Sequence, residues 1–422
     1  MSAGRYAGLP GSARGGQPLW HRVSAAAGLV AADGSVEQTI FGQMTQLAAA
    51  HDAVNLGQGA PGDDAPDFLL QAAQAAMRAG RNQYAPPQGA PELRAAVAEH
   101  RLRDWGHAAA AEEVLVTTGA TEALTAALLA LAPAGSEVVV LEPYYDSYAA
   151  AAALAGARVR PVGLRFDGPR PEVDLAALAQ AVGRETSVVL LNTPHNPTGL
   201  VLSEADIRRV WEIVEPSGAW LLTDEVYEHL VFEGAHTAPA AVIGDPRVVT
   251  VSSAGKALNA TGWKVGWLIG APAVVQAVQA IKQFLTFVSG APLQPAVAEA
   301  LRAHPGFPAE NARILAARRD VLVAALRELP GVDVFVPASG YFVLADFAGA
   351  AAGEDAAALN ARLTREAGVT GIPAPALCQA GSATAERLRS VVRYSFCKSE
   401  AEVARAADRF RAYAAGGTVS AG

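Results

Sequence analysis

The middle of the chain alternates between short apolar runs and longer segments whose apolar residues recur at helical spacing. Runs rich in Val and Leu that end in small or polar residues are typical of buried strands. Strands are predicted at 114–116, 137–141, 187–191, 219–223 and 248–251. Because helical segments separate these strands at regular intervals, the pattern predicts an α/β fold with a mainly parallel sheet.

Helical patterns dominate both flanks of this region. One helix is predicted at 38–50, and the pattern from 272 to 329 is mainly helical. Residues 1–36 are rich in Gly, Ala, Ser and Arg, which predicts a loosely ordered arm with a short helix near 23–32. Later strands and helices are predicted at 332–336, 341–346, 354–366 and 402–414.

Composition and charge narrow the classes of function. The 422 residues carry a formal net charge of −8, so no basic surface indicates a nucleic acid or an anionic membrane as a partner. No apolar run reaches the roughly 18 residues of a membrane-spanning helix. Cys378 and Cys397 provide no disulfide framework, which favours a reducing, cytoplasmic location. We predict no metal ion.

The lysine after the strand at 248–251 lies where a solvated charge is unexpected. Small residues precede Lys256, and Lys264 follows eight positions later. Burial lowers the pKa of a lysine because the ammonium group loses its solvation, and the neutral amine can form a Schiff base. For a lone lysine, a position in a surface loop is the more common explanation. The residues at the ends of the other strands must therefore show which interpretation applies.

Those strand ends carry residues suited to a flat, phosphorylated ligand. A small-residue turn at 117–121 precedes a helix, an arrangement that offers free backbone N–H groups to a phosphate. Neither GxGxxG nor a Walker sequence is present, which disfavours dinucleotides and nucleoside triphosphates. A buried Asp224 needs a cation, and a protonated pyridine nitrogen is one. Aromatic rings that could stack on such a ligand are those of Tyr144, Tyr145 and Tyr148.

Other candidate residues allow two interpretations each. Two X-Pro bonds close to Asn196 make cis peptides plausible there. The guanidinium of Arg393 needs a partner within its apolar strand, and a substrate carboxylate or a core Asp or Glu would serve equally well. The loop around Gly59 can offer N–H groups to a carboxylate or simply link two domains. Phe41 is a core anchor or a pocket wall, and Tyr84 alone indicates packing.

In combination, these residues resemble the signature of class I aminotransferases of fold type I, which use pyridoxal phosphate. The resemblance covers about 38–412. It rests on Ser253-x-x-Lys256, Lys264, Asp224-x-x-Tyr227, Asn196-Pro-Thr-Gly and Arg393. Segments such as NLGQG, GATEAL, HNPTG and TGWKVGW are most similar to the kynurenine/glutamine aminotransferases and the bacterial N-succinyldiaminopimelate aminotransferases.

The resemblance implies an aspartate aminotransferase-like architecture. A large cofactor-binding domain over 67–299 would contain a mainly parallel seven-stranded sheet. A smaller α+β domain would combine both chain ends, 37–66 and 300–413. Residues 1–36 would be an N-terminal extension and 414–422 a tail, and two chains would form a homodimer.

The resemblance also implies roles for single residues around the cofactor. Lys256 would form an aldimine with pyridoxal phosphate and shuttle the proton between the substrate Cα and the cofactor C4′. Asp224 would keep the pyridine nitrogen protonated, which makes the ring an electron sink. Contacts to the ring and its 3-hydroxyl are implied for Tyr227, Asn196 and Tyr145, with Tyr144 as second choice for stacking. The phosphate would be bound by Ala120, Thr121, Ser253 and Lys264, and by Tyr84 of the partner subunit.

On the substrate side, the resemblance implies an amino group moved between an L-amino acid and a 2-oxo acid such as 2-oxoglutarate or pyruvate. Arg393 would bind the substrate α-carboxylate with help from Asn196 and the loop at Gly59, and Phe41 would border the substrate. Kynurenine/glutamine aminotransferases have Trp at the position of Phe41 and an aromatic and a His near Ser289, so the pocket here is expected to be wider.

Two other functions remain open from the sequence. A pyridoxal-phosphate-dependent cysteine-conjugate β-lyase needs the same Lys256 and Asp224, and it differs by releasing pyruvate and ammonia without a 2-oxo acid acceptor. A ligand-sensing regulator built on this fold needs a DNA-binding module. The arm at 1–36 shows no helix-turn-helix pattern and is too short for one.

Overall fold

The structure is a computed structural model that describes residues 17–31 and 33–416. The helices are α1 (Leu19–Ala26), α2 (Ile40–Ala50), α3 (Asp67–Arg78), α4 (Pro91–Trp105), α5 (Gly119–Leu131), α6 (Ser147–Ala155), α7 (Leu175–Ala181), α8 (Glu204–Val214), α9 (Pro239–Ile243), α10 (Ala254–Ala257), α11 (Pro272–Lys282), α12 (Leu293–Ala303), α13 (Phe307–Arg327), α14 (Ala356–Glu366), α15 (Ala383–Arg387) and α16 (Glu400–Ala414). In the described ranges, no helix combines the length and the apolar character needed to cross a membrane.

The strands form three sheets within the described residues. They are β1 (Val54–Asn55), β2 (Val114–Thr118), β3 (Glu137–Glu142), β4 (Arg158–Gly163), β5 (Thr186–Asn192), β6 (Trp220–Asp224), β7 (Val248–Ser253), β8 (Val265–Ile269), β9 (Asp333–Phe335), β10 (Phe342–Asp346), β11 (Val369–Thr370), β12 (Ile372–Pro373) and β13 (Val391–Ser395).

The central sheet has seven strands in the order β2-β8-β7-β6-β5-β3-β4. Strand β8 runs antiparallel to both of its neighbours, and the other pairs are parallel. The predicted mainly parallel α/β sheet is therefore confirmed. Helices cover both faces: Val138 and Val140 pack with α5 and α6, while Val139 and Leu141 pack with α7 and α8. Burial on both faces explains why these strands are apolar throughout.

The two ends of the chain come together beside this sheet. Strand β1 pairs in parallel with β11, through Val54 opposite Val369 and Asn55 opposite Thr370. An antiparallel sheet of order β12-β13-β10-β9 follows. One apolar cluster joins Val54 to side chains of α13, α14 and α16. The predicted domain boundaries stay predictions, and helix α12 runs through the one at 299/300.

Two local predictions differ from the structure. The helix predicted near 23–32 is α1, which begins earlier and ends at Ala26. It ends there because Gly28 adopts a left-handed conformation (φ +70°). Residues 1–16, 32 and 417–422 of the predicted arm and tail lie outside the described residues. The small-residue turn predicted at 117–121 is much tighter. Strand β2 continues to Thr118 and α5 begins at Gly119.

The peptide bonds Thr193-Pro194 and Asn196-Pro197 are cis, as the sequence suggested. A third, Glu142-Pro143 at the end of β3, is also cis. The segment with the first two bonds follows β5 and the third bond follows β3, at the carboxyl ends of central strands, where open α/β sheets bind their ligands.

Candidate active site

A cavity of about 350 Å³ opens at the carboxyl ends of β2, β5, β6 and β7. All predicted site residues except Tyr84 line it, although they come from distant parts of the sequence. They are Phe41, Gly59, Ala120, Thr121, Tyr145, Asn196, Asp224, Tyr227, Ser253, Lys256, Lys264 and Arg393.

One end of the cavity is built for close approach of backbone and ligand. Gly119 has φ +73°, and a Cβ there would lie 3.1 Å from the Lys264 Nζ. A Cβ on Gly266 would lie 2.7 Å from the Ala120 N. The positive φ favours glycine at 119, and only glycine at 266 lets β8 lie so close to the start of α5. The result is a helix N-terminus, with its positive dipole end, beside the Lys264 amine.

Asp224 lies at the centre of the cavity floor and is 4% exposed. The Tyr148 hydroxyl donates to its Oδ2 at 2.7 Å, and the Val226 N–H donates to its Oδ1 at 3.3 Å. No cationic side chain of the described chain forms an ion pair with it. Burial raises the pKa of Asp224 to about 6, since the carboxylate loses solvation without gaining a cation.

Lys256 lies on α10, directly after β7. Its Nζ donates to the Gly59 carbonyl at 3.3 Å and lies 4.9 Å from the centre of the Tyr341 ring and 5.6 Å from that of Tyr227. Burial lowers the pKa of Lys256, and the positive charges of Lys264 and Arg393 lower it further. The amine is therefore closer to its neutral, nucleophilic form than an exposed lysine would be.

Arg393 is 2% exposed on strand β13. Its Nη2 donates to the Gly57 carbonyl at 2.8 Å and its Nη1 to the Asn196 Oδ1 at 3.4 Å. Its guanidinium lies 3.9 Å from the centre of the Phe342 ring and 5.5 Å from that of Phe41.

The alternative role of Arg393 in a structural ion pair is not found, because no carboxylate in the part of the chain that the structure describes lies within 4.0 Å of it. Burial lowers the pKa of Arg393 to about 10, and its Nε has no hydrogen-bond partner among the described residues. An unpaired buried charge is costly, so the site is prepared for an anion.

The three tyrosines after β3 separate into different roles. Tyr145 lines the cavity, whereas Tyr144 does not and is buried elsewhere. Tyr145, the first choice for stacking on the ring, therefore has access to the cavity, and Tyr144, the second choice, does not. Tyr148, expected from the sequence to be a stacking residue, instead donates its hydroxyl to Asp224.

Tyr84 is 82% exposed and lies outside the cavity of its own chain. Its ring packs edge-on against Phe287, with 5.4 Å between ring centres. Its predicted contact to a second subunit stays a prediction.

Among the lining residues that sequence reasoning missed, two contact the predicted site residues directly. Asn192, the last residue of β5, donates from Nδ2 to the Asp224 carbonyl at 2.8 Å and accepts from the Asn196 N–H at 2.7 Å. It thereby joins two adjacent strand ends. The signal in the sequence was a polar residue that ends an apolar strand. Phe342 covers Arg393, and its apolar strand carried no sign of this contact.

Comparison with known proteins shows the family of the chain. Residues 51–410 match the model of the family "Aminotransferase class I and II". The chain is 43% identical to a probable N-succinyldiaminopimelate aminotransferase of Mycobacterium tuberculosis, over 86% of this chain and 92% of that protein. It is 38% identical to the methionine aminotransferase of Escherichia coli, over 88% and 95%.

A solved structure of N-succinyldiaminopimelate aminotransferase from Mycobacterium tuberculosis has the same fold. It superposes with a TM-score of 0.84 at 42% identity and covers 89% of this chain and 97% of that one. The chain belongs to the class I and II aminotransferase family and is a pyridoxal-phosphate-dependent aminotransferase of fold type I.

Proposed function

We propose that this chain transfers the amino group of an L-amino acid to a 2-oxo acid in the cavity at the carboxyl ends of β2 and β5–β7. The observation that carries the proposal is a set of buried charged groups without partners of opposite charge in the described chain. Arg393 lacks a carboxylate and Asp224 lacks a cation. An amino acid carboxylate and a protonated pyridine ring would supply both.

The residues present fit pyridoxal phosphate. The cradle in which a Cβ on Gly119 or Gly266 would clash leaves backbone N–H groups at the start of α5 for a phosphate. Ala120, Thr121, Ser253 and Lys264 would hold that phosphate, and Tyr145 would cover the ring. When bound, the cofactor supplies an electron sink for the electrons released as the substrate Cα loses its proton.

The side chains have separate tasks in this reaction. Asp224, oriented by Tyr148, would hold a proton at the pyridine nitrogen. Lys256 would hold the cofactor and, as a neutral amine, would move the proton to and from the substrate Cα. Tyr227 and Asn196 would donate to the ring 3-hydroxyl.

Arg393 would bind the substrate through its α-carboxylate. The planar guanidinium suits two parallel hydrogen bonds to a carboxylate. Its surroundings support this role, because Phe342 and Phe41 keep water from its faces while the Asn196 and Gly57 contacts fix its plane. We propose N-succinyl-diaminopimelate as the first amino donor to test, since the relative named for it is 43% identical. Methionine, 2-oxoglutarate and pyruvate complete the panel, and release of pyruvate without an acceptor would indicate β-lyase activity.

We also propose a cytoplasmic homodimer. Tyr84 and Phe284 are 82% and 85% exposed, and Leu285 and Phe287 beside them are also exposed. Such an apolar patch is typical of a protein interface. A second copy would cover it and would bring Tyr84 of the partner subunit to the phosphate.

Replacing Lys256 by Ala should abolish the visible absorbance of the bound cofactor and lower turnover by at least about 100-fold, since both attachment and proton transfer are lost. Absorbance spectra and steady-state rates measure this. Lys398→Ala serves as the control and should keep both. Reductive labelling of the cofactor onto another lysine would refute the assignment.

Asp224→Asn should leave the protein folded but lower kcat by more than about tenfold, which corresponds to about 1.4 kcal/mol in the barrier. The amide cannot balance a pyridinium charge. Asp245→Asn, on a surface ion pair with Arg247, is the matched control. A kcat within tenfold of the wild type would show that Asp224 is not the partner of the ring nitrogen.

Arg393→Ala should lower kcat/KM for amino acids by about 30- to several-thousand-fold, because removing one partner of a buried charge pair costs roughly 2–5 kcal/mol. Arg393→Lys should recover only part of this loss, since lysine lacks the planar fork. The cofactor absorbance should persist in both variants. The exposed Arg389→Ala is the control, and an unchanged kcat/KM in Arg393→Ala would place the carboxylate clamp elsewhere.

Mixing two inactive variants, Lys256→Ala and Tyr84→Ala, should restore part of the activity if Tyr84 completes the partner's site. A hybrid dimer then contains one site with both residues intact. Activity after subunit exchange, with exchange confirmed by differently tagged chains, measures this. Exchange without recovery would contradict a shared site.

A further inference from the structure

Behind the floor of the cavity lies a buried ionic group that the reaction does not use directly. Arg101, on α4, is fully buried between the carboxylates of Glu225 and Glu228. Its Nη2 donates to the Glu225 Oε2 at 2.9 Å, and its Nη1 donates to the Glu228 Oε2. Its guanidinium also lies 4.8 Å from the centre of the Trp105 ring.

Each carboxylate is further bound by neighbouring strands. The Glu225 Oε1 accepts from the Thr223 hydroxyl at 2.6 Å and the Thr250 hydroxyl at 3.1 Å, and its Oε2 lies 2.9 Å from the His236 Nε2. The Glu228 Oε1 accepts from the Ser252 hydroxyl at 2.7 Å. The group therefore ties α4 to the ends of both β6 and β7.

A single guanidinium lies between two buried carboxylates, and the pKa values of these two carboxylates differ. Arg101 and several hydrogen bonds lower the pKa of Glu225, whereas burial raises the pKa of Glu228 to about 8. Burial also lowers the pKa of His236. Arg101 and Glu225 therefore form the main buried ion pair of the group.

A metal ion does not explain this group. Glu225, Glu228 and His236 lie close enough together to hold one. However, the guanidinium of Arg101 is already within hydrogen-bond distance of both carboxylates. A metal ion would have to share that space with a positive charge.

The position of the group in the chain gives it a consequence for the site. Glu225 directly follows Asp224, the last residue of β6, and Glu228 directly follows Tyr227. Asp224 and Tyr227 line the cavity, and both glutamates are buried against α4 behind it. Strand pairing holds Asp224, and the backbone bonds of Glu225 N–H to the Val251 carbonyl and of Glu228 N–H to the Glu225 carbonyl hold the residues after it. The contacts of the two glutamates with Arg101 add a tether to α4.

We propose that Arg101 is a positioning residue for transamination, which fixes Asp224 and Tyr227 by binding the two glutamates that flank Tyr227. The inference rests on the proposed roles of Asp224 and Tyr227. Misplacing a catalytic group by about 1 Å costs on the order of 100-fold in rate. Loss of the tether therefore lowers catalysis without removing any group that touches the substrate.

The test must separate misplacement from simple instability. Arg101→Ala alone leaves a buried charge unpaired and is expected to unfold the protein. The double variant Arg101→Met/Glu225→Gln removes the ion pair as a whole, keeps the volume, and is expected to fold because a buried ion pair can be replaced by neutral groups at little cost. Melting temperature and circular dichroism confirm its folding.

The folded double variant should have kcat lowered by about 10- to 100-fold, with KM for the amino acid within about threefold, because Arg393 is untouched. It should also bind added pyridoxal phosphate about tenfold more weakly. The pH midpoint of the visible absorbance should shift by about half a unit or more. Both effects are expected because Asp224 and Tyr227 determine the affinity for the cofactor and the pH midpoint of its absorbance. Equilibrium dialysis and spectroscopic titration measure these without turnover.

The matched control is Arg319→Met/Glu233→Gln, which removes another ion pair of a buried arginine (2.9 Å) outside the segment that carries Asp224. It should change stability but leave kcat, cofactor affinity and the absorbance midpoint as in the wild type. Wild-type kcat and midpoint in the Arg101 variant, or equal losses in the control, would overturn the proposal.

The single variant Asp224→Asn distinguishes failure of the positioning role of Arg101 from failure of the proposed function. If Asp224→Asn is inactive while Arg101→Met/Glu225→Gln is normal, only the positioning role is wrong. If Asp224→Asn is active, the assignment of the site itself fails.

Discussion

An arginine without a carboxylate in the interior of a protein is the constraint on which the rest of this site depends. Arg393 loses most of its solvation on β13, and the chain offers it only a carbonyl, an amide oxygen and two aromatic faces. Burying such a charge is unfavourable, so the surrounding fold must stabilise the arrangement. The same unpaired positive charge would attract an anionic substrate to the cavity beside Arg393.

The central sheet makes this arrangement possible. Its parallel strands end at one edge, and each end contributes one kind of group: backbone N–H groups after β2, an aromatic ring after β3, amides after β5, a carboxylate at β6 and a lysine after β7. The apolar strands are buried on both faces and hold these ends rigidly. The antiparallel sheet then brings Arg393 from the far end of the chain to the same cavity.

Two buried ionic groups therefore serve this enzyme in opposite ways. Around Arg393, the missing carboxylate leaves a place for substrate. Around Arg101, two carboxylates accept hydrogen bonds from its two terminal nitrogens, and the hydroxyls of Thr223, Thr250 and Ser252 donate to the same carboxylates. We propose that the first arrangement binds the substrate carboxylate and that the second holds the backbone that carries Asp224. Burial makes both strong, because a low effective dielectric increases every electrostatic interaction.

The sequence by itself determined the α/β class and the order of most strands and helices, which follow from local periodicity. The rule that strand ends carry ligand groups pointed to the edge of the sheet where the site lies, and the resemblance to a known family supplied twelve of the residues that line the cavity. Only the tertiary structure decided that β2 passes directly into α5, that Tyr148 binds Asp224 and does not stack, and that Asn192 links two strand ends. It also decided that Arg393 has no ion-pair partner among the described residues, and that Arg101 has two. Contacts such as Tyr148–Asp224 and Arg101–Glu228, which join residues 76 and 127 positions apart, leave no periodic signal, because they depend on how the elements pack and not on the local pattern of the chain.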